Sequence, residues 1–177
     1  MEDIIIDNGE NGIPTLASEE QWSRRGEQFD RMSKAGYNNA KDALGIDSYW
    51  HGGDNHGMRI TLGREMERCF CSGCWISVIC IGMASVEAFS NEIWGHGKVR
   101  KELEEIEFPH IGWWESLRNK RNSIMHVNSN STYHEESNYD LHYYAKMTVW
   151  FSYFFMDYIC LWREKNSDNL PSSQQLS

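Results

Sequence analysis

Trp22, Phe29, Met32, Gly36 and Ala43 recur by sevens, threes and fours, which predicts an amphipathic helix from about Ser18 to Leu44. Ser18, followed by Glu19, Glu20 and Gln21, supplies the polar cap and the acidic first turn of such a helix. Ser48 to Gly57, rich in Gly and His, reads as a loop. A second helix, beginning between Thr61 and Ser72, covers the most apolar part of the chain. Trp75, Ile79, Met83, Val86, Phe89 and Ile93 form one stripe on it, and Ile76, Cys80, Ala84, Glu87 and Asn91 form another beside it. Apolar on two sides, it is expected at the centre of the fold, with Gly95 and Gly97 as its stop. Lys98 to Glu107 predicts a short exposed helix or turn, and Pro109 separates it from a helix that starts near Ile111. The small polar residues after His126 favour turns, so that helix ends at or just after His126. A last helix is predicted from about Asn138 to Glu164, with Tyr144, Thr148, Phe151, Phe155, Tyr158 and Trp162 on its apolar face.

These elements predict an all-α protein, a helical bundle of four to five helices, folded as a single domain over residues 18–165. Residues 1–17 carry no period and read as a flexible arm, and residues 166–177, rich in Ser and Gln, as a disordered tail. Composition supports a substantial core, since 13% of the residues are aromatic and eight are Trp. None of the three prolines lies between Thr15 and Phe108, which leaves that region open to helix.

Two stretches, Cys69 to Val86 and Tyr143 to Trp162, approach the length of a membrane span. Glu87 closes the first, Lys146 and Asp157 interrupt the second, and neither has strongly basic flanks, so both are read as bundle helices. Five cysteines make no secreted-type framework, and the acidic start Met1-Glu2-Asp3 lacks the basic character of a targeting segment. The expected compartment is the reducing cytoplasm. Cys69, Cys71 and Cys74 lack the paired knuckles of a zinc site and are read as small apolar fillers, and His51, Asp54 and His56 as a solvated loop. No metal and no cofactor is expected.

The stretch that departs from ordinary helix composition is Leu117 to His126. Trp114, Leu117, Arg121 and Ile124 fall in one stripe, while Arg118, Asn122 and His126 step by four down its side. A guanidinium is therefore set among apolar positions. Glu87 likewise falls in an apolar sector, where a carboxylate needs a cation, and Arg121 is the partner expected for it. The net charge of −9 argues against broad DNA binding, because phosphate affinity comes largely from Lys and Arg. Arg118, Lys120 and Arg121 nevertheless form a local basic run, and a two-fold dimer about it would double the local positive field.

Arg121, Asn122 and His126 match the Arg-polar-x-x-x-His motif of the HEPN family, preceded by the arginine-bearing turn Leu117-Arg118. Ser85 to Ile93, with Glu87 and Asn91, resembles the small-residue helix that precedes that motif in many members. The resemblance spans Cys74 to Trp162, about half of the chain. It implies a helical bundle that dimerises and cleaves RNA as a metal-independent endoribonuclease. In that chemistry the RNA 2′-OH attacks its own 3′-phosphate and leaves a 2′,3′-cyclic phosphate. His126 would transfer protons, suited to neutral pH by an unperturbed pKa near ~6.5. Arg121 would hold the non-bridging oxygens, Asn122 would orient imidazole or phosphate, and Arg118 and Lys120 would position substrate. Glu87 and Asn91 would support the motif. Small HEPN ribonucleases also suggest a toxin–antitoxin or phage-defence role, with an antitoxin or regulatory protein as partner. This chain carries Asn128 where the two-gene toxin version has a tyrosine. Other HEPN modules have lost catalysis and only bind a partner protein or nucleotide, which is the alternative reading.

Overall fold

The computed structural model describes residues 17–46, 57–125 and 138–166. These residues form six α-helices and no strand: α1 (Glu19–Leu44), α2 (Gly57–Ser72), α3 (Trp75–Trp94), α4 (Val99–Glu105), α5 (Ile111–Met125) and α6 (Asn138–Lys165). The protein is all-α. Apart from Ala17 and Asn166, the expected flexible arm and disordered tail, together with the His51–Asp54–His56 loop and His126, lie outside the described residues.

The first helix starts where its cap residues place it. Ser18 Oγ accepts from the Gln21 backbone N–H at 3.2 Å, and Gln21 Oε1 accepts from the Ser18 N–H at 3.0 Å, so two otherwise orphan donors are satisfied reciprocally. Its buried stripe is Phe29, Gly36, Ala40 and Leu44. Trp22 and Ala43, expected on that stripe, lie on the exposed side. Lys165 Nζ donates to the Leu44 carbonyl at 2.7 Å, joining the C-terminal ends of α1 and α6 with a cation at the negative end of α1.

The apolar region expected to be one long helix is two, which raises the helix count above the predicted four to five. Gly73, at φ 79°, adopts the left-handed conformation that ends α2, and α3 begins two residues later. Hydrophobic periodicity conceals this turn because apolar residues stand on both sides of it. Nor is α3 buried on both of its apolar sides. Trp75, Val78, Ile79, Met83, Val86 and Phe89 are buried, but Ile76 is 45% exposed and Ala84 faces outward.

The most enclosed element is α6, which packs against α1, α3 and α5. Phe151, Phe154, Phe155, Ile159 and Leu161 on it are buried, joined by Phe108 from the loop between α4 and α5. A second cluster gathers Phe29, Met66, Phe70, Trp75, Val78 and Ile79 around Ala145 and Val149 of the same helix. Gly82 makes the α3–α6 approach close, since a Cβ there would collide with Thr148 and lie 3.0 Å from Met66 Sδ. Ser152 Oγ uses that closeness to donate to the Gly82 carbonyl at 3.3 Å.

Candidate functional site

Helix α5 lies on the flank of the bundle, anchored by its two buried residues, Trp114 and Leu117. One turn beyond Leu117, Arg121 reaches α3. Its Nη1 donates to Glu87 Oε2 at 2.9 Å and its Nη2 to Glu87 Oε1 at 2.6 Å, a two-pronged contact between a planar guanidinium and a planar carboxylate. The partner expected for Glu87 from sequence is therefore the one it has. The pair is not sealed, however, for the two side chains keep 23% and 30% of their exposure. This separates it from a fully buried pair, whose disruption costs roughly 3 to 5 kcal/mol.

The ion pair leaves part of the guanidinium unused. Arg121 Nε is buried without a hydrogen-bond partner among the described residues, as is Trp114 Nε1, seven positions earlier on the same stripe. Around them the three neighbouring cations go three ways. Arg118 is exposed, with its guanidinium carbon 5.5 Å from the centre of the Trp114 ring. Lys120 turns toward α6, where its Nζ stands 4.6 Å from the Tyr144 ring centre. Only Arg121 faces α3, so the run Arg118-x-Lys120-Arg121 does not make one basic cleft within a chain. Helical geometry turns Lys120 away from Arg121, since adjacent positions differ by about 100° in direction, while Arg118 is drawn back over the Trp114 ring.

Asn122 is half-buried next to Arg121, and Asn91 is half-buried one turn beyond Glu87 on α3. His126, the proposed proton-transfer residue, follows directly after the last described residue of α5 and lies outside the described residues. The site also includes groups that the motif does not name. Cys80 Sγ lies 3.8 Å from Met125 Sδ, bridging α3 and α5. Burial pushes the Cys80 thiol up, while the positive charge of Arg121 opposes that shift. Cys80 stands on the stripe of Ile76, Ala84, Glu87 and Asn91, so the same periodicity that marks Glu87 contained it. Outward from the pair, α3 presents Ile76, Ala84 and Ala88, and α5 presents Met125, which is 61% exposed.

Among the described residues no group of three or more His, Cys, Asp or Glu side chains is placed to hold a metal ion. One helix there, α3, is long and apolar enough to cross a membrane by length and composition, and 44% of its apolar window is buried inside the fold.

Because the Glu87–Arg121 pair is partly solvated, its coupling should be modest. A double-mutant cycle with Glu87→Gln and Arg121→Met, read by urea denaturation, is expected to give about 1 to 2 kcal/mol, the range of hydrogen bonds between charged groups after partial screening. A coupling near zero would mean that the contact adds nothing to the α3–α5 interface.

The fold and site thus define an all-α protein whose outer helix is tied to a core helix by a bidentate ion pair. Comparison with protein-family models, with characterised proteins and with solved structures finds no match to this chain.

Proposed function

We propose that the chain is a HEPN-type helical bundle acting as a metal-independent endoribonuclease in the cytoplasm. The observation that carries this reading is the two-pronged Arg121–Glu87 contact, which joins the two segments on which the HEPN resemblance rests. Two residues picked from separate stretches by one motif pattern meet in space. Their meeting also fixes the rotation of α5, on whose neighbouring side Arg118, Asn122 and His126 step by four along the sequence.

In the proposed reaction the 2′-oxygen forms a bond to phosphorus as the bond to the 5′-oxygen breaks, giving a 2′,3′-cyclic phosphate and a 5′-hydroxyl. His126 takes the proton of the attacking hydroxyl or supplies one to the leaving oxygen. Arg121, held by Glu87, turns its remaining N–H groups to the charge that develops on the non-bridging oxygens. Asn122 orients the imidazole or the phosphate, and the exposed Arg118 meets the substrate backbone, with Lys120 contributing charge. Neither a metal nor a cofactor takes part.

The working form is proposed to be a homodimer. At a net charge of −9 one chain holds RNA poorly, and pairing brings two copies of Arg118 and Arg121 together. Exposed Ala84 and Ala88 on α3 and exposed Met125 on α5 supply apolar surface for that pairing. We read α3 as a bundle helix rather than a membrane span, since it packs on α2, α5 and α6 and carries Glu87 paired with Arg121. A toxin or phage-defence role, silenced by an antitoxin or regulatory protein, fits such an activity.

A second reading, a catalytically silent HEPN module that binds a protein or nucleotide, is favoured by one observation. Both Nη atoms of Arg121 are already engaged by Glu87, which leaves its fork less free for phosphate.

Incubation of the purified protein, freed of any bound partner, with mixed RNA in EDTA separates the two. The ribonuclease reading expects cyclic-phosphate ends, with cleavage lowered by about 10² to 10⁴ in His126→Ala, the usual share of general acid–base catalysis. That variant should keep its thermal midpoint. Equal survival of RNA with wild type and His126→Ala gives the place to the silent module.

A further inference from the structure

The turns that end α2 and α4 share one hydrogen-bond pattern. After α4, the Phe108 N–H donates to the Leu103 carbonyl at 2.9 Å and the Glu107 N–H to the Glu104 carbonyl at 3.2 Å, with Glu107 left-handed at φ 52°. After α2, the Cys74 N–H donates to the Cys69 carbonyl at 2.8 Å and the Gly73 N–H to the Phe70 carbonyl at 3.0 Å. In such a helix stop the first and last side chains of the six-residue turn come against one another. In the α4 turn they are Leu103 and Phe108, both buried. In the α2 turn they are two cysteines.

The backbone alone brings that pair within bonding range. With the roughly 120° angle at the carbonyl carbon, standard covalent lengths and the 2.8 Å hydrogen bond bound the Cα–Cα separation at about 6.7 Å, within the roughly 4.4 to 6.8 Å usual for a disulfide. We propose that Cys69 and Cys74 are a redox modification site, forming a reversible intramolecular disulfide with small disulfide oxidants such as glutathione disulfide.

The surroundings give the two thiols different parts. Cys74 is exposed, whereas Cys69 is half-buried. Burial pushes the Cys69 thiol up, the nearby Cys74 sulfur adds to that, and a hydrogen bond with Ser77 opposes it. Cys74 is therefore the first to react. Its thiolate attacks one sulfur of the oxidant, whose S–S bond breaks and releases one reduced thiol. Cys69 then attacks the Cys74 sulfur of the mixed disulfide and expels the second thiol. The two protons lost by the protein end on the two small thiols, and the oxidant gains the two electrons the cysteines give up.

No other cysteine competes by position. Cys71 is buried toward α1, 3.8 Å from where a Cβ on Gly26 would stand, Cys80 is against Met125, and Cys160 is on α6. The turn itself is braced from outside by Arg25, whose Nη1 donates to the Cys71 carbonyl at 3.1 Å and whose guanidinium carbon stands 5.2 Å from the Trp75 ring centre. That brace spans the turn from Cys71 to Trp75, and oxidation makes the α2–α3 stop covalent.

The test uses the full, reduced chain in glutathione buffers of rising disulfide fraction, quenched with acid, alkylated and mapped by mass. Alkylatable thiols are expected to fall from five to three, with the peptide containing Cys69 and Cys74 lighter by two hydrogens and restored by dithiothreitol. Cys69→Ser should stop at a mixed disulfide on Cys74. The proposal is overturned if wild type also stops there with Cys69 still alkylatable. Bridging through Cys71, Cys80 or Cys160, linkage between chains, or survival of all thiols in the most oxidising buffer overturns it as well.

Discussion

Gly36→Ala should destabilise the protein by about 2 to 3 kcal/mol or more, although alanine is the better helix former by roughly 1 kcal/mol. A Cβ at Gly36 would stand 2.5 Å from the Trp150 carbonyl oxygen and 2.9 Å from the Phe154 nitrogen. Both are backbone atoms of α6, and a backbone cannot turn aside as a side-chain tip can. The two helices would have to separate along the contact that encloses α6, weakening neighbouring packing as they did so. Gly26→Ala on the same helix is the control. Its Cβ would meet nothing closer than Cys71 Sγ at 3.8 Å, so the propensity gain should survive and the stability rise by up to ~1 kcal/mol. Urea denaturation of the two variants should move the midpoints in opposite directions. Movement in the same direction would mean that α1 and α6 do not meet at Gly36.

Phe108→Ala is expected to lower stability by about 3 to 5 kcal/mol. This ring belongs to a loop, yet its centroid lies 6.3 Å from Phe151, 5.7 Å from Phe154, 5.3 Å from Phe155 and 5.1 Å from Tyr158. All four arrangements are edge-on, the geometry that adds to simple area burial. Removing it leaves a cavity walled by α6 side chains that already pack on other elements and cannot collapse inward. Phe108→Leu, which keeps much of the volume, should cost about 1.5 kcal/mol or less. A loss under 1 kcal/mol for the alanine variant would show that the α4–α5 loop is peripheral to the core.

Much of this organisation is legible in the chain because the relevant signals are local. Ser18 and Gln21 announce the start of α1, Pro109 precedes α5, and the aromatic spacing through Phe151, Phe155 and Tyr158 marks the buried face of α6. Glu87 could be matched to Arg121 because each charge interrupts an apolar stripe and must find its opposite. The α2–α3 break is harder to read, for Gly73 stands between cysteines that continue the apolar run. Glu107 turns left-handed with no glycine to signal it. The rank of α6 over α3 is hidden for another reason. Hydropathy discounts His142, Thr148, Ser152 and Asp157, all of which the fold encloses. Adjacency in the chain groups Lys120 with Arg118 and Arg121, and only the direction in which α6 lies separates it from them.

The position of α6 in the chain has a consequence for how the protein is made. It follows every other described helix, and it supplies the partner for the Gly36 face of α1 and the Gly82 face of α3. Ties such as Trp150 to Asn39 and Lys165 to Leu44 join positions 111 and 121 residues apart. During synthesis, therefore, α1, α3 and α5 emerge from the ribosome before the helix on which all three pack. Over that interval Met83 and Val86 of α3 lack the α6 side chains that cover them, so the incomplete chain exposes apolar surface of the kind that holdase chaperones bind.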